Sequence, residues 1–327
     1  MAIVKPFKAV RPSRDKVALV SSKSFDAYTD KELDAKLEFN PFTFLHILNP
    51  GYKYHQEFSG EQRFQMIHNR YEEFKENKIF IKDETASFYI YESSNAHDYF
   101  CGIIGATAVD DYNNGTIKKH EGTIKKREQL FETYLKTTGF NAEPVLLTYK
   151  DDEKFNTLLQ TLKKKRPEYE FSTTDKKLHR LWLVNDKENI KKIISFFEDK
   201  EALYIADGHH RSASSSLLKT DLQAENIHHK GDENYNFFMS YIIPESNLKI
   251  SEFNRFIKDL NGLSIDEFLI ELDKSYRIED RGEHFYKPSQ KHHFSMYLGG
   301  KFYSLYLRKG LFLNGDALSK LDAEILH

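Results

Sequence analysis

The segment that decides the fold is ALYIADGHHRSASSSLLKT, residues 202–220, in which polar residues separate an apolar run from a Ser-rich run. The apolar residues 202–206 predict a buried strand, and the Ser-rich residues predict a helix. We therefore expect residues 207–211 to form a strand-to-helix turn in a cleft, with the helix beginning near Arg211 or Ser212. The plainest interpretation is an Asp-Gly turn in which His209 and His210 cap the helix.

The residue types in this turn also suit phosphate binding. A helix N-terminus presents free backbone N–H groups and the positive end of the helix dipole to an anion. Gly208 lets the backbone approach a ligand, the planar guanidinium of Arg211 matches phosphate, and Ser212 and Ser214 can cap the helix or donate to the same oxyanion. Asp207 suits another role, as a base for a hydroxyl proton or as a metal ligand. The turn therefore predicts a phosphate or nucleotide pocket with a catalytic acid at its rim.

A second polar cluster lies in IKKHEGTIKKRE, residues 117–128. Lys119, His120 and Glu121 precede Thr123, a pattern typical of a solvated, charged helix start with Thr123 as the N-cap. Imidazole and carboxylate groups are also metal ligands, so this cluster could bind a metal together with the two histidines of the 207–211 turn. If the two clusters form one site, His120 and Glu121 should lie within about one side-chain length of that turn.

The composition indicates a globular protein whose main activity is not non-specific DNA binding. The chain has 327 residues, of which 39% are hydrophobic and 30% are charged, and its formal net charge is −2. Its one cysteine, Cys101, excludes an internal disulfide and a Cys-rich zinc module, and lies in an apolar run that predicts a core position. The sequence shows neither a signal-peptide pattern nor an apolar stretch of about 18–20 residues. We expect a cytoplasmic protein without a membrane partner.

Strand and helix patterns alternate irregularly, which predicts a mixed α/β or α+β fold. The runs KVALV (16–20) and PFTFLHILNP (41–50) predict strands, whereas residues 60–77, 123–137 and 187–199 predict helices. Gly102 and Gly105 interrupt another strand, where glycine marks a bulge or the close approach of a backbone or ligand. We expect a main domain at residues 1–230, with both polar clusters, and a smaller α+β region at 231–327.

Five segments in order, VKPFKAVRP, NPFTFLHILNP, KKHEGT, AEPVLLTY and ADGHHRSASSSL, resemble a widespread prokaryotic family of domains of unknown function with a DGHHR signature. That signature is similar to the nucleotide-binding motif of the ParB/sulfiredoxin superfamily, one branch of which phosphorylates free L-serine. The resemblance implies a ParB/sulfiredoxin-like nucleotide-binding core with additional strands and helices. It also implies ATP or ADP as cofactor, with Mg²⁺, and serine or a similar small molecule as substrate.

The resemblance assigns roles to the 207–211 turn. It implies Asp207 as the acid near the substrate hydroxyl, and Gly208, His209, His210 and Arg211 as the residues that bind the nucleotide phosphates. From the residue types we also expect His120 and Glu121 to be catalytic, Glu121 and Asp207 to hold Mg²⁺, and Ser212 and Lys119 to contact the nucleotide. The chain departs from the family pattern in having Asn254-Arg255 where a His-Arg pair is usual, and in ending at His327 where the family normally continues.

Three hypotheses from different classes remain open. The first is a phosphotransferase, with free L-serine as the first candidate substrate, in which positioning and charge neutralisation supply most of the catalysis. The second is a ParB-like nucleotide-binding protein without turnover. The third is a metal-dependent hydrolase that uses the histidines and Glu121. Nucleotide turnover that depends on L-serine separates the first from the second, and inactivation by a zinc-selective chelator indicates the third. The pattern leaves the oligomeric state open.

Overall fold

The computed structural model describes residues 1–250, 254–308, 310 and 322–326. The chain divides into two compact units, Met1–Lys249 and Ile250–His327. The fold is mixed α+β, as the irregular alternation of patterns predicts. Within the described ranges, no helix combines the length and apolar character that crossing a membrane needs.

The first unit is built on a large mixed sheet. Its strands are β1 (Val4–Lys5), β2 (Val10–Pro12), β3 (Phe80–Lys82), β4 (Phe88–Ser94), β5 (Tyr99–Ala108), β6 (Ile117–Lys118), β7 (Val145–Tyr149), β8 (Tyr169–Ser172), β9 (Leu178–Val184), β10 (Leu203–Asp207) and β11 (Phe237–Pro244). Eight strands lie in the order β6-β10-β7-β11-β5-β4-β9-β8, β1 adds to β5 as the ninth, and β2 pairs with β3 apart from them. The β6–β10 and β7–β11 pairings are parallel and the others are antiparallel. The parallel pair β6–β10 carries the two polar clusters.

The helices of the first unit are α1 (Val17–Val20), α2 (Asp30–Phe39), α3 (Leu45–Leu48), α4 (Gly60–Glu76), α5 (Val109–Asn113), α6 (Lys125–Thr138), α7 (Glu153–Leu162), α8 (Lys187–Glu198) and α9 (His209–Glu225). The predicted helices at 60–77 and 187–199 are confirmed because their apolar residues recur at helical spacing and are buried on one face. The predicted helix at 123–137 begins at Lys125, two residues late, with Ile124 rather than Thr123 as its N-cap.

The main core covers one face of the sheet. Alternate residues of the central strands, such as Ile90, Ile103 and Leu147, are fully buried there, as is the Cys101 side chain. Strand β5 needs a glycine at position 102 because the backbone of β11 passes close to it: a Cβ on Gly102 would lie 2.3 Å from the carbonyl oxygen of Ile242. The prediction of a close contact at this glycine is confirmed.

Two predicted strands are wrong. KVALV and PFTFLHILNP contain the short helices α1 and α3 instead. Short apolar runs do not distinguish a buried strand from a buried helical turn, and here packing decides. Val20 and Ile47 enter a separate aromatic-rich core with Phe64 of α4, and the backbone N–H of Phe44 donates to the carbonyl of Val20.

The division between the units falls after Lys249 rather than at residue 230. The reason is that β11 lies between β7 and β5 in the large sheet and therefore belongs to the first unit. The second unit contains α10 (Ile265–Asp273), β12 (Tyr276–Gly282), β13 (His293–Leu298), β14 (Lys301–Leu307) and α11 (Asp322–Ile325), with its strands in the antiparallel order β12-β14-β13. Asn254 and Arg255, the departure from the family pattern, are exposed residues of this unit.

Candidate functional site

The predicted strand-to-helix turn is confirmed at Asp207–His209. Strand β10 ends at Asp207, and α9 begins at His209, two residues before the expected start. Gly208 is the N-cap, with φ +99° and ψ +31°, a left-handed conformation that glycine adopts readily. Glycine has no side chain to cap the helix, so within the described residues the first backbone N–H groups of α9 are left for water or a ligand. Whether the turn lies in a cleft stays a prediction.

The KHEGT segment lies against this turn because β6 and β10 are parallel. Ile117 pairs with Leu203 and Lys118 pairs with Tyr204. Both strands therefore run in the same direction and leave the sheet at the same edge, where the chain continues into His120 on one side and Gly208 on the other. The expected convergence of the two clusters is confirmed by this pairing.

His209 is the centre of the contact between the clusters. Its side chain is only 6% exposed, and its Nδ1 lies 3.6 Å from Oε2 of Glu121. The ring of His120 meets the His209 ring edge to face, with centroids 4.4 Å apart. The backbone nitrogen of His120 lies 3.5 Å from Nε2 of His209, at the outer limit of a hydrogen bond. Burial lowers the pKa of His209, and the neighbouring His120 lowers it further, while Glu121 opposes both. The environment therefore favours a neutral imidazole that can act as a ligand.

One ligand atom from each of His120, Glu121 and His209 lies within 4.8 Å of the others. His120 and Glu121 are exposed and His209 is buried, so the group lies at the surface and its inner residue is held by the surrounding protein. Asp207, the second carboxylate expected to hold Mg²⁺, lies outside this group. Two imidazoles and one carboxylate are a donor set that suits Zn²⁺ and related ions.

Asp207 and Arg211 are paired to each other, which differs from the separate roles that the sequence predicts. The Arg211 guanidinium donates to the Asp207 carboxylate and to the carbonyl oxygen of Pro144, and it lies 3.7 Å from Glu143. The two residues are four apart at a helix start, where side chains face each other. Asp207 keeps an exposed carboxylate (67% exposed), whereas the Arg211 side chain is mostly covered. The guanidinium group that is predicted to bind phosphate is therefore already paired with groups of the chain itself.

Ser212 and Ser214 are buried inside the first turns of α9, and their predicted contact with an oxyanion stays a prediction. The hydroxyl of Ser212 donates to the carbonyl of Gly208, and that of Ser214 donates to the carbonyl of His210. Hydroxyls that lie within a helix commonly bond to the carbonyl four residues back. The early helix start places both serines in that position.

Two other candidate residues flank the turn. The ammonium of Lys119 lies 3.5 Å from the ring centroid of Tyr112, and burial lowers the pKa of Lys119. The Nδ1 atom of His210 is buried and has no hydrogen-bond partner within the described chain. Lys119 is thus held by an aromatic face, and His210 retains an unused polar atom.

Two residues near the turn, Glu143 and Tyr112, are not among the site residues predicted from the sequence. Glu143 precedes Pro144 and β7, the strand that pairs with β10, and so enters the site through sheet order rather than sequence proximity. The available signal is the acid that precedes the strand in the segment AEPVLLTY. Tyr112 belongs to α5, and its contact with Lys119 cannot be predicted from the spacing of the two residues in the sequence.

Comparison with known proteins identifies the family. Neither the curated proteins nor the solved structures include a match to this chain. Residues 4–324 match a family model described as a protein of unknown function (DUF1015), which covers nearly the whole chain. The chain therefore belongs to the DUF1015 family.

Proposed function

We propose that this protein is a nucleotide-dependent phosphotransferase that acts on a small hydroxyl substrate, with free L-serine as the first candidate. The observation that carries the proposal is the parallel β6–β10 pairing, which brings His120 and Glu121 to the uncapped start of α9. Phosphoryl transfer needs an anion site, exposed carboxylates and a cation within reach of one another. The turn supplies the first two, in an arrangement that we infer to be ParB/sulfiredoxin-like.

The phosphate site of this proposal is the N-terminus of α9. The free backbone N–H groups after Gly208 and the helix dipole favour an anion there. Arg211 would join them by exchanging its Asp207 partner for phosphate oxygens, in the charge-assisted contact that a planar guanidinium makes with phosphate. Lys119 and His210 flank the same turn and complete the set proposed to contact the nucleotide.

Asp207 is proposed to take the proton of the substrate hydroxyl. It is the most exposed charged group of the turn, and it ends a strand whose buried residues Leu203 and Ile205 fix its position. Glu121, with 62% of its side chain exposed, is the second carboxylate available for proton transfer or cation binding. A nucleotide-bound Mg²⁺ ion keeps several waters and usually needs only one or two carboxylates, so these two exposed groups fit it.

A metal-dependent hydrolase is the second candidate, favoured by one observation. His120, Glu121 and His209 form the two-histidine, one-carboxylate set of hydrolytic zinc sites. His210, the fourth residue expected to take part, lies outside this group. A hydrolase would use the ion to activate water, and its activity would need neither nucleotide nor serine.

The test measures phosphoserine formation by ³¹P NMR with ATP or ADP as donor, in the presence and absence of L-serine. Asp207→Asn should lower the rate by about 10²–10⁴-fold, as removal of a general base does. It should not weaken nucleotide binding, because Arg211 remains and loses the carboxylate that competes with phosphate. Arg211→Ala should instead weaken nucleotide binding measured by calorimetry. Asp221→Asn, an exposed acid farther along α9, is the matched control and should behave like wild type.

Each alternative outcome has a defined meaning. If Asp207→Asn turns over like wild type, Asp207 is a turn residue and the proposed base is wrong. Nucleotide binding without phosphoserine would indicate a ParB-like binding protein. If no nucleotide binds and a zinc-selective chelator abolishes hydrolysis of a test ester, the hydrolase replaces the phosphotransferase.

A further inference from the structure

The three residues His120, Glu121 and His209 differ in how firmly the structure holds them, in a way that suits metal-ion binding. His209 lies in the first turn of α9 and is buried, so its position is set by the helix. His120 and Glu121 lie on the exposed loop between β6 and α6. One ligand is thus fixed, and two can adjust to an ion.

The spacing of the donor atoms is close to that of a bound metal. Metal–ligand bonds of about 2.0–2.1 Å in tetrahedral geometry place neighbouring ligand atoms about 3.4 Å apart. The Oε2 of Glu121 and the Nδ1 of His209 are 3.6 Å apart, and all three donors lie within 4.8 Å of one another. Closing the set requires a movement of at most about 1.4 Å by the loop. The movement also separates the backbone N–H of His120 from Nε2 of His209, which carries the imidazole proton when Nδ1 binds the ion.

The loop has room for this movement. Gly122, which follows Glu121, has no atom within 4 Å of where a Cβ would be, so its surroundings are open. The next anchor is Thr123, whose hydroxyl donates to Glu128 in the first turn of α6. The adjustable residues therefore lie between β6, which is held by the sheet, and this anchor.

We propose that His120, Glu121 and His209 bind one divalent transition metal ion, with Zn²⁺ preferred to Mn²⁺ and both preferred to Mg²⁺. Imidazole nitrogens suit zinc and neighbouring transition metals, whereas Mg²⁺ takes oxygen ligands and releases its water reluctantly. Three protein ligands leave a fourth position open, which is the pattern of catalytic rather than structural zinc sites. An ion there would supply a Lewis acid beside the N-terminus of α9.

This inference adds an ion site beside the proposed nucleotide site, separate from the nucleotide-bound Mg²⁺, and ion binding there does not depend on the proposed reaction. Both candidate activities can fail while the ion binds, and the phosphotransferase can work with nucleotide-bound Mg²⁺ while this cluster binds nothing. A binding experiment without nucleotide or substrate therefore tests the inference alone.

The experiment titrates tag-free protein, stripped with EDTA and dialysed, with Zn²⁺, Mn²⁺ or Mg²⁺ in separate calorimetric runs. Equilibrium dialysis with elemental analysis gives the stoichiometry. We expect one Zn²⁺ per chain, weaker Mn²⁺ binding and weaker Mg²⁺ binding still. Loss of a hydrogen-bond partner of a metal ligand costs about 10–100-fold in affinity, so loss of a ligand should cost at least about 100-fold.

His120→Ala and Glu121→Gln are the test variants because both residues are exposed and their replacement should not impair folding. His228→Ala removes an exposed imidazole elsewhere and should leave Zn²⁺ affinity unchanged. Circular dichroism and melting temperature establish that each variant is folded. The proposal is overturned if Zn²⁺ does not bind, if both test variants bind it like wild type, or if Mg²⁺ binds as tightly as Zn²⁺.

Discussion

Replacing Gly208 by alanine should destabilise the first unit by about 2–3 kcal/mol. A non-glycine residue in the left-handed region costs about 1–2 kcal/mol, and φ at Gly208 is +99°, well beyond the usual left-handed value of about +57°. The added Cβ would lie 3.3 Å from Nε of Arg211 and 3.4 Å from Cα of Val145. Because Asp207 and the Pro144 carbonyl hold the Arg211 guanidinium, it cannot move aside without straining those bonds.

Gly139→Ala is the matched control. Gly139 ends α6 with φ +76° and ψ +13°, and no atom lies within 4 Å of where its Cβ would be. This variant carries the backbone strain without the contact and should cost only about 1 kcal/mol. The difference between the two variants then measures the tightness of the turn around Gly208.

Urea unfolding followed by tryptophan fluorescence gives both values. Trp182 is the one tryptophan of the chain, lies on β9 and is nearly buried, so its emission reports on the unit that contains both glycines. In a melting experiment the Gly208 variant should lose about 4–12 °C, at about 2–4 °C per kcal/mol for a unit of this size. Equal destabilisation by the two substitutions would refute the argument that Arg211 and Val145 confine the turn.

Two further predictions concern ionised groups of the first unit. Burial would raise the pKa of Glu92, but its bonds to Lys163, Tyr99 and Arg180 together outweigh burial and hold the pKa below the usual range. Glu92→Gln should cost about 3–5 kcal/mol in urea unfolding, because the buried Lys163 ammonium loses its carboxylate partner. The exposed Glu170→Gln should cost less than about 1 kcal/mol, and similar costs for the two variants would contradict the assignment. Backbone N–H groups of the preceding turn outweigh burial and lower the pKa of Glu233 to about 2. The contribution of Glu233 to stability is therefore present above the unfolded pKa of about 4.3 and is lost as the pH falls toward 2. Wild type should lose more stability than Glu233→Gln across that interval, and an equal loss in both proteins, measured by urea unfolding at each pH, would disprove this.

The sequence predicts the elements of the site better than their contacts. The strand β10, the turn and α9 follow from an apolar run, a glycine and a helical segment, all of which are local signals. The short helices α1 and α3 were not predictable in this way, since their apolar residues pack into a core formed by distant segments. The convergence of the two clusters was expected only because their residue types suit one site. The strand that brings them together, β6, has two residues and is too short to show a pattern in the sequence.

The helix starts two residues earlier than expected, and this explains why the side chains of Arg211, Ser212 and Ser214 are bonded within the chain. If the helix began at Arg211 or Ser212, Asp207 and Arg211 would each face a ligand separately, and the serine hydroxyls would lie at the start of the first turn. With the start at His209, the Asp207–Arg211 pair has the spacing of a helical ion pair, and the serine hydroxyls face helix carbonyls. Helix boundaries depend on cap geometry, here on a left-handed glycine, which composition alone does not locate.

The Asp207–Arg211 pair bears directly on how the proposed phosphotransferase would work. In the structure the guanidinium and the carboxylate neutralise each other, so neither is free for a phosphate or for a substrate proton. A phosphate at the start of α9 offers Arg211 a more highly charged partner beside free backbone N–H groups. Moving Arg211 to that phosphate leaves the exposed Asp207 carboxylate without its partner and able to accept the hydroxyl proton. Nucleotide binding would thus create the base that the reaction needs, and free enzyme would hold that base neutralised until the phosphate arrives.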